Sequence, residues 1–226
     1  MEVSSINLQW QSFIRQCAQR AKQGTVTELD CGVAVYWTQV PWAFTNAFFI
    51  SSAVIDELDL FHRLNAINEY VKKMQPSFPW VLFLHPERLP ASVRERSKEI
   101  CLKAGFGQGT GLVCMQTMKL LPPVRPLPTV EIKLATSQQD VYDAMLLFGE
   151  VYNKDISVTE NTVDQHIFIT DFNKQFCCII YVNNKPVSTA TTFILDDECL
   201  FVALVVTGAH HRRVCSSYLF LIFCSC

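Results

Sequence analysis

The stretch VALVVTGAHHRRVCSSYLF, residues 202–220, decides how the chain is read. An apolar, β-branched run ends at Thr207-Gly208. His210, His211, Arg212 and Arg213 follow, then the small residues Cys215, Ser216 and Ser217, then apolar residues again. That order predicts a buried strand, a basic loop and the start of a helix. A helix start offers free backbone N–H groups and a partial positive charge, which suit a phosphate-like anion. Cys215 carries a Cβ, so a left-handed backbone there would cost about 1 kcal/mol or more. Two readings stand at this junction: an anion-binding loop, or a basic loop that caps an ordinary strand–helix turn.

Composition narrows the function classes. The chain has 226 residues, a net charge of −2, 50% hydrophobic residues and 18% charged ones. Such a chain buries a real core and is too apolar for disorder. Its charge creates no overall field for nucleic acid. The N-terminal MEVSSINLQWQSFIRQCAQRAKQ has no continuous apolar region of the signal-peptide kind. No run of about 18 apolar residues is present, so no membrane span is expected. We expect an intracellular, cytoplasmic protein. The ten cysteines are scattered, and Cys31, Cys114, Cys177 and Cys178 lie within apolar runs. No C-x-x-C pair accompanies a histidine pair, so buried reduced thiols are expected and a metal site is not. Cys224-Ser225-Cys226 resembles the C-x-C prenylation ending of small membrane-anchored GTPases, but it is no C-a-a-X box.

The segment LLPPVRPLPT, 120–129, holds four prolines and predicts an extended linker. It divides a first lobe, 1–120, from a second, 130–226, with 121–129 between them. In the first lobe a helix is expected over about 5–23, stopped by Gly24. ELDCGVAVYW reads as one strand and PWAFTNAFFIS as a second. Asp56 opens a helix with Leu58, Phe61, Leu64, Ile67, Val71 and Met74 on one stripe. PWVLFLHP reads as a short buried central strand. Ser92 to Glu95 has capping-box form, its helix ends near Ala104 before Gly105, and GLVCMQTMKLL closes the lobe as a strand.

The second lobe opens with the strand TVEIKLAT. Ser137 to Asp140 has capping-box form, and a helix follows to about Tyr152. A short helix is expected over 163–172. FCCIIYV and KPVSTATTFIL form a hairpin around Asn183-Asn184. CLFVALVV is a strand too apolar for an edge, and a helix begins near Arg212.

This second lobe resembles the front half of a GNAT acyltransferase, the superfamily that moves acetyl groups from acetyl-CoA to amines. The likeness covers about 130–220. It rests on Val205-Val206-Thr207 at a strand end, the spacer Gly208 to His211, and the six-residue loop Arg212, Arg213, Val214, Cys215, Ser216 and Ser217. The upstream VNNKPVSTATTFILDDECLFVALVV resembles the family's hairpin and fourth strand. The first lobe resembles a degenerate second copy: EICLKAGFGQGTGLVCMQTM matches the family's helix, Gly-Phe turn and strand. Its helix start, ISSAVIDELDLFHRL, lacks the Arg-x-x-Gly-x-Gly pattern and carries Asp56, Glu57 and Asp59. Acids there repel a pyrophosphate, so this lobe reads as structural or substrate-shaping.

The resemblance implies an α/β (α+β, mixed-sheet) GNAT-like acyl-CoA N-acyltransferase fold in two lobes, the second incomplete after its third helix begins. It implies acetyl-CoA as cosubstrate, no metal, and an amine of unknown identity as acceptor. The backbone of Val205 to Thr207 would hold the pantetheine and acetyl oxygen. Arg212 to Ser217 would hold the pyrophosphate. Glu198 is the acidic candidate for a water-mediated base, and also reads as a solvated turn residue in Asp196-Asp197-Glu198. His210 and His211 stand beside the loop, either near phosphate or merely exposed. With the later strands missing, activity is expected to be impaired, and the exposed C-terminal strand edge favours self-association. The rival reading is a catalytically silent GNAT-fold scaffold that binds a partner. A nucleotide-binding Rossmann domain fits poorly, because no G-x-G-x-x-G follows a first strand.

Overall fold

The computed structural model describes residues 4–107, 130–153, 155–157, 160, 175–195 and 199–209. The chain divides into two compact units, Met1–Met115 and Gln116–Cys226. Among the described residues each carries its own four-stranded sheet.

In the first unit, helix α1 (Ser4–Arg20) ends three residues before the expected position. Gly24 is nevertheless essential to its exit. A Cβ at Gly24 would lie 1.8 Å from the Ala18 carbonyl oxygen, so no side chain fits. The segment expected as one strand, ELDCGVAVYW, is a hairpin. Strand β1 (Thr25–Leu29) pairs antiparallel with β2 (Val33–Trp37). Gly32 turns the chain between them at φ +73°, a conformation that favours glycine. Strand β3 (Asn46–Ile50) pairs antiparallel with β2, and β4 (Val81–Phe83) pairs parallel with β3. A strand stands within the expected 79–86. Among the described residues β4 ends the order β1-β2-β3-β4, and it is only half-buried.

Helix α2 (Glu57–Met74) is rotated from its expected stripe. Leu60, Arg63, Leu64 and Ile67 face inward, whereas Leu58 is 76% exposed and Met74 is also exposed. Helix α3 (Ala91–Lys103) does not use the expected Ser92 capping box. Pro90 is its N-cap, with extended backbone and no side-chain cap, which places Ser92 inside the first turn. Its end is as expected: Gly105 at φ +86° lets the Phe106 amide return to the Cys101 carbonyl at 2.9 Å. The core joins Val33, Val35, Trp37, Phe48, Ile50, Leu60, Leu64 and Ile67 with Val93 and Ile100. Trp37 and Trp42 are buried, and Trp80 packs edge-on against Phe48.

One buried polar residue organises the loop before β3. Asn46 is fully buried, and its amide donates to the carbonyls of Val40 (2.7 Å), Trp42 (2.9 Å) and Pro79 (3.1 Å). Its carbonyl oxygen accepts from the amides of Thr38 (3.0 Å) and Gln39 (2.9 Å). A single side chain thus closes the 38–46 loop and ties it to the approach to β4.

In the second unit, β5 (Glu131–Leu134), β6 (Gln175–Val182), β7 (Lys185–Leu195) and β8 (Cys199–Thr207) lie in sequence order, antiparallel throughout. The Asn183-Asn184 turn is as read, with φ +52° and +60°. Strand β8 was expected to be too apolar for an edge. Among the described residues it ends the sheet order.

Helix α4 (Gln138–Val151) carries the expected capping box. The Ser137 hydroxyl accepts from the Asp140 amide, and Asp140 accepts from the amides of Thr136 (3.0 Å) and Ser137 (3.1 Å). Lys133 pairs with the same carboxylate. Burial pushes the Asp140 carboxyl up, but Lys133 and those amides more than reverse this and hold it at about 2. A depressed carboxylate stabilises the fold above its unfolded pKa, and that stability is lost as pH falls through the folded value. Asp140→Ala should therefore cost about 2 kcal/mol at pH 7 and progressively less between pH 4 and pH 2. Urea unfolding across that range checks it.

The prolines of 120–129, the closing strand at 111–121 and the helix expected at 163–172 lie outside the described residues.

Candidate active site

The end of β8 is the most structured feature of the junction first read in the sequence. Register along β7 and β8 slips there: Thr189 faces Val206, but Thr191 faces Ala203. Leu204 and Val205 therefore oppose the single residue Ala190, which is a β-bulge in β8. A bulge removes backbone groups from the ladder and redirects them. Val205 lies on the bulge and is 36% exposed, whereas Val206 and Thr207 are buried.

Beyond the bulge the strand is pinned. The Ser188 hydroxyl donates to the Val206 carbonyl at 3.0 Å and lies 2.6 Å from the Thr207 hydroxyl. The Gly208 amide donates to the Val187 carbonyl at 2.9 Å. Gly208 is not a steric necessity, since a Cβ there would meet its nearest neighbours at 3.6 Å and 3.9 Å. Its place after the strand is a matter of chain exit rather than close packing.

Of the residues singled out in the sequence, the structure brings Val205, Val206 and Thr207 together at the bulge and the pinned strand end. Glu198, His210, His211, Arg212, Arg213, Val214, Cys215, Ser216 and Ser217 lie outside the described residues, as do Tyr218 and the terminal cysteines. Sequence reading missed Ser188. Its signal is a run of hydroxyls, Ser188, Thr189, Thr191 and Thr192, in a strand that should be apolar where it is buried.

The corresponding helix start in the first unit is already filled by its own carboxylates. The Asp56 side chain accepts from the Asp59 amide at 2.8 Å, and Asp59 accepts from the Ile55 amide at 2.8 Å. Asp59 also pairs with Arg63 at 2.9 Å. The Arg63 hydrogen bond is the main reason the Asp59 carboxyl is held below its ordinary value. Donors that would meet an anion here are thus spent on acids of the chain itself. Among the described residues no group of three or more His, Cys, Asp or Glu is placed to hold a metal ion. No described helix is long and apolar enough to cross a membrane. Cys17, Cys31, Cys101 and Cys177 are free thiols, and burial pushes Cys17 up to about 12.

No protein-family model matches the chain. No curated protein matches it either. Among solved structures it is similar to a GCN5-related N-acetyltransferase from Kribbella flavida. The TM-score is 0.60 at 18% identity, over 96% of this chain and 77% of that one. It is also similar to a functionally unknown conserved protein from Staphylococcus epidermidis ATCC 12228. There the TM-score is 0.48 at 15% identity, over 88% of this chain and 78% of that one. The first likeness shows a GNAT-like α/β fold, with two sheets and four α-helices among the described residues.

Proposed function

We propose that the second unit binds acetyl-CoA along β8 and transfers its acetyl group to an amine. The observation that carries this reading is the bulge at Leu204-Val205, on the strand that ends the sheet order among the described residues. Acyl transfer needs a positioned thioester, donors for its carbonyl oxygen and a base for the ammonium proton. A bulge supplies backbone groups released from the ladder at the place where the thioester would lie. The amine nitrogen attacks the thioester carbonyl carbon. A C–N bond forms, the C–S bond breaks, and the CoA sulfur leaves as thiolate and takes up a proton.

In this reading Val205 to Thr207 hold the pantetheine through their backbone, and Ser188 keeps that backbone fixed. Arg212 and Arg213 supply fixed charge to the pyrophosphate, and Val214 to Ser217 supply amides at the helix start. Cys215 limits how closely that backbone approaches the anion, so we infer weak binding. Glu198 serves as proton acceptor through water. The first lobe, 1–120, is read as a degenerate copy with a structural or substrate-shaping role.

The test is calorimetric titration of the full chain with CoA. Replacing Arg212 and Arg213 by Ala should lower affinity about tenfold or more and flatten its salt dependence. Unchanged affinity in the double variant would place the cofactor elsewhere. No CoA binding by the wild-type chain would leave a scaffold.

A further inference from the structure

Gln175 opens β6 and is 1% exposed, yet neither its amide nitrogen nor its amide oxygen has a hydrogen-bond partner. A buried carboxamide left unpaired is costly on both atoms. Phe193 stands directly across from it on β7, and polar residues come next on that face. Cys177 follows two residues later, and Thr191 faces Cys177 across the ladder. The Cys177 sulfur lies 3.4 Å from the Thr189 hydroxyl. Thr189 and Thr191 flank Ala190, the residue opposite the β8 bulge. A row of buried neutral polar side chains therefore runs from the bulge to Gln175. Cys177 and Thr189 meet each other within that row, so what remains to be met is the Gln175 amide, costly on both atoms.

We infer that Gln175 reads the far end of the acceptor amine, and that this end carries a neutral group with both a donor and an acceptor, a carboxamide before all. The inference rests on the acyl-transfer reading for the position of the reacting nitrogen at the bulge. A primary carboxamide meets the Gln175 amide with two antiparallel hydrogen bonds and satisfies both of its unpaired atoms. A carboxylate or ammonium would be desolvated among neutral side chains with no opposite charge in the row. The nearest buried carboxylate, Asp140, is already held by Lys133. An alkyl end would leave Gln175 unpaired.

The experiment uses the full chain, acetyl-CoA and series of ω-amino carboxamides, ω-amino carboxylates and alkylamines of matched length. Thiol release should favour the carboxamides by about 100-fold in kcat/KM over both other series at the best length. Gln175→Met keeps the volume and should collapse that preference to about threefold or less, with CoA affinity unchanged. In the wild-type chain the side-chain amide resonances of Gln175 should shift on titration with the best carboxamide, a readout that needs no variant to fold. Acetyl-CoA binding is measured separately. If CoA fails to bind but the Gln175 resonances move with the carboxamide, the acyl-transfer reading fails and recognition by Gln175 stands. If CoA binds while those resonances stay fixed, the inference is overturned. A stabilised Gln175→Met chain with unaltered selectivity would overturn it too, and would assign the amide to an internal water.

Discussion

Asn46→Asp should unfold the Met1–Met115 unit or remove about 4 kcal/mol or more of its stability at pH 7. The change alters volume hardly at all, so the effect is purely one of hydrogen bonding and charge. The Asn46 amide donates to three carbonyls, those of Val40, Trp42 and Pro79. A carboxylate has nothing to donate and would set a negative charge against all three oxygens in a fully buried site. Val40 and Trp42 keep other donors, the Trp42 amide and the Thr45 amide and hydroxyl, so most of the cost, about 3–5 kcal/mol, is the uncompensated buried charge set against these carbonyls. The acceptor half of the site, facing the amides of Thr38 and Gln39, survives the substitution and offsets only part of the loss. Protonation restores one donor, so the folded variant's carboxyl is raised above its unfolded value. Stability is then regained as pH falls through that raised value, and the variant is less damaged at pH 4 than at pH 7. Urea unfolding followed by fluorescence of the buried Trp37 and Trp42 measures it. A midpoint equal to wild type at pH 7 would show that the 38–46 loop does not depend on this residue.

Asn46 also shows where sequence reading reaches its limit. PWAFTNAFFIS reads correctly as leading into a strand, because its aromatic and apolar residues are suited to a buried sheet. Nothing in its pattern says that one asparagine binds Pro79, 33 positions away. Local signals fared according to whether tertiary packing could overrule them. The Ser137 capping box, the Asn183-Asn184 turn and the Gly105 stop all depend on neighbouring residues, and all are as read. Ser92 to Glu95 has the same form as Ser137 to Asp140, yet Pro90 fixes the start of α3 two residues earlier. The hairpin at Gly32 hid inside ELDCGVAVYW, where Asp30 and Gly32 mark the turn and one residue with positive φ was enough to reverse the chain. At the candidate site, Val205 to Thr207 were legible from the apolar run that ends at Gly208. The bulge was not, since it arises from a register slip between two strands and leaves no mark in either alone. Ser188 and Gln175 were passed over for a related reason: a polar residue within a strand is informative only once its burial is known.

Arg63→Ala should cost the first unit about 3 kcal/mol. In the sequence Arg63 looks like the outer half of an ordinary i,i+4 pair with Asp59, which would contribute well under 1 kcal/mol. In the structure it is 5% exposed and its donors are spread over two segments. Its Nε and Nη2 hold both Asp59 oxygens, at 3.0 Å and 2.9 Å. Nη1 donates to the Ser52 carbonyl (3.0 Å) and hydroxyl (2.9 Å), and Nη2 donates to the Ala53 carbonyl (2.9 Å). One guanidinium thus joins the start of α2 to the turn that follows β3. Lysine offers a point charge and no planar fork, so Arg63→Lys should recover less than half of the loss. Asp59 supplies an internal check. Its carboxyl is depressed chiefly by Arg63, so the pair stabilises the fold above the ordinary aspartate pKa, and that part fades as pH falls below it. In Arg63→Ala the acid-dependent part should vanish, and the difference from wild type should shrink below about pH 4. The same variant tests which unit takes an anion. If Arg63 only stabilises the fold, chains with Arg63→Ala that remain folded will bind CoA as wild type does. Loss of CoA affinity in a folded Arg63→Ala chain would move the anion site from the loop after β8 to the start of α2, despite its three acids.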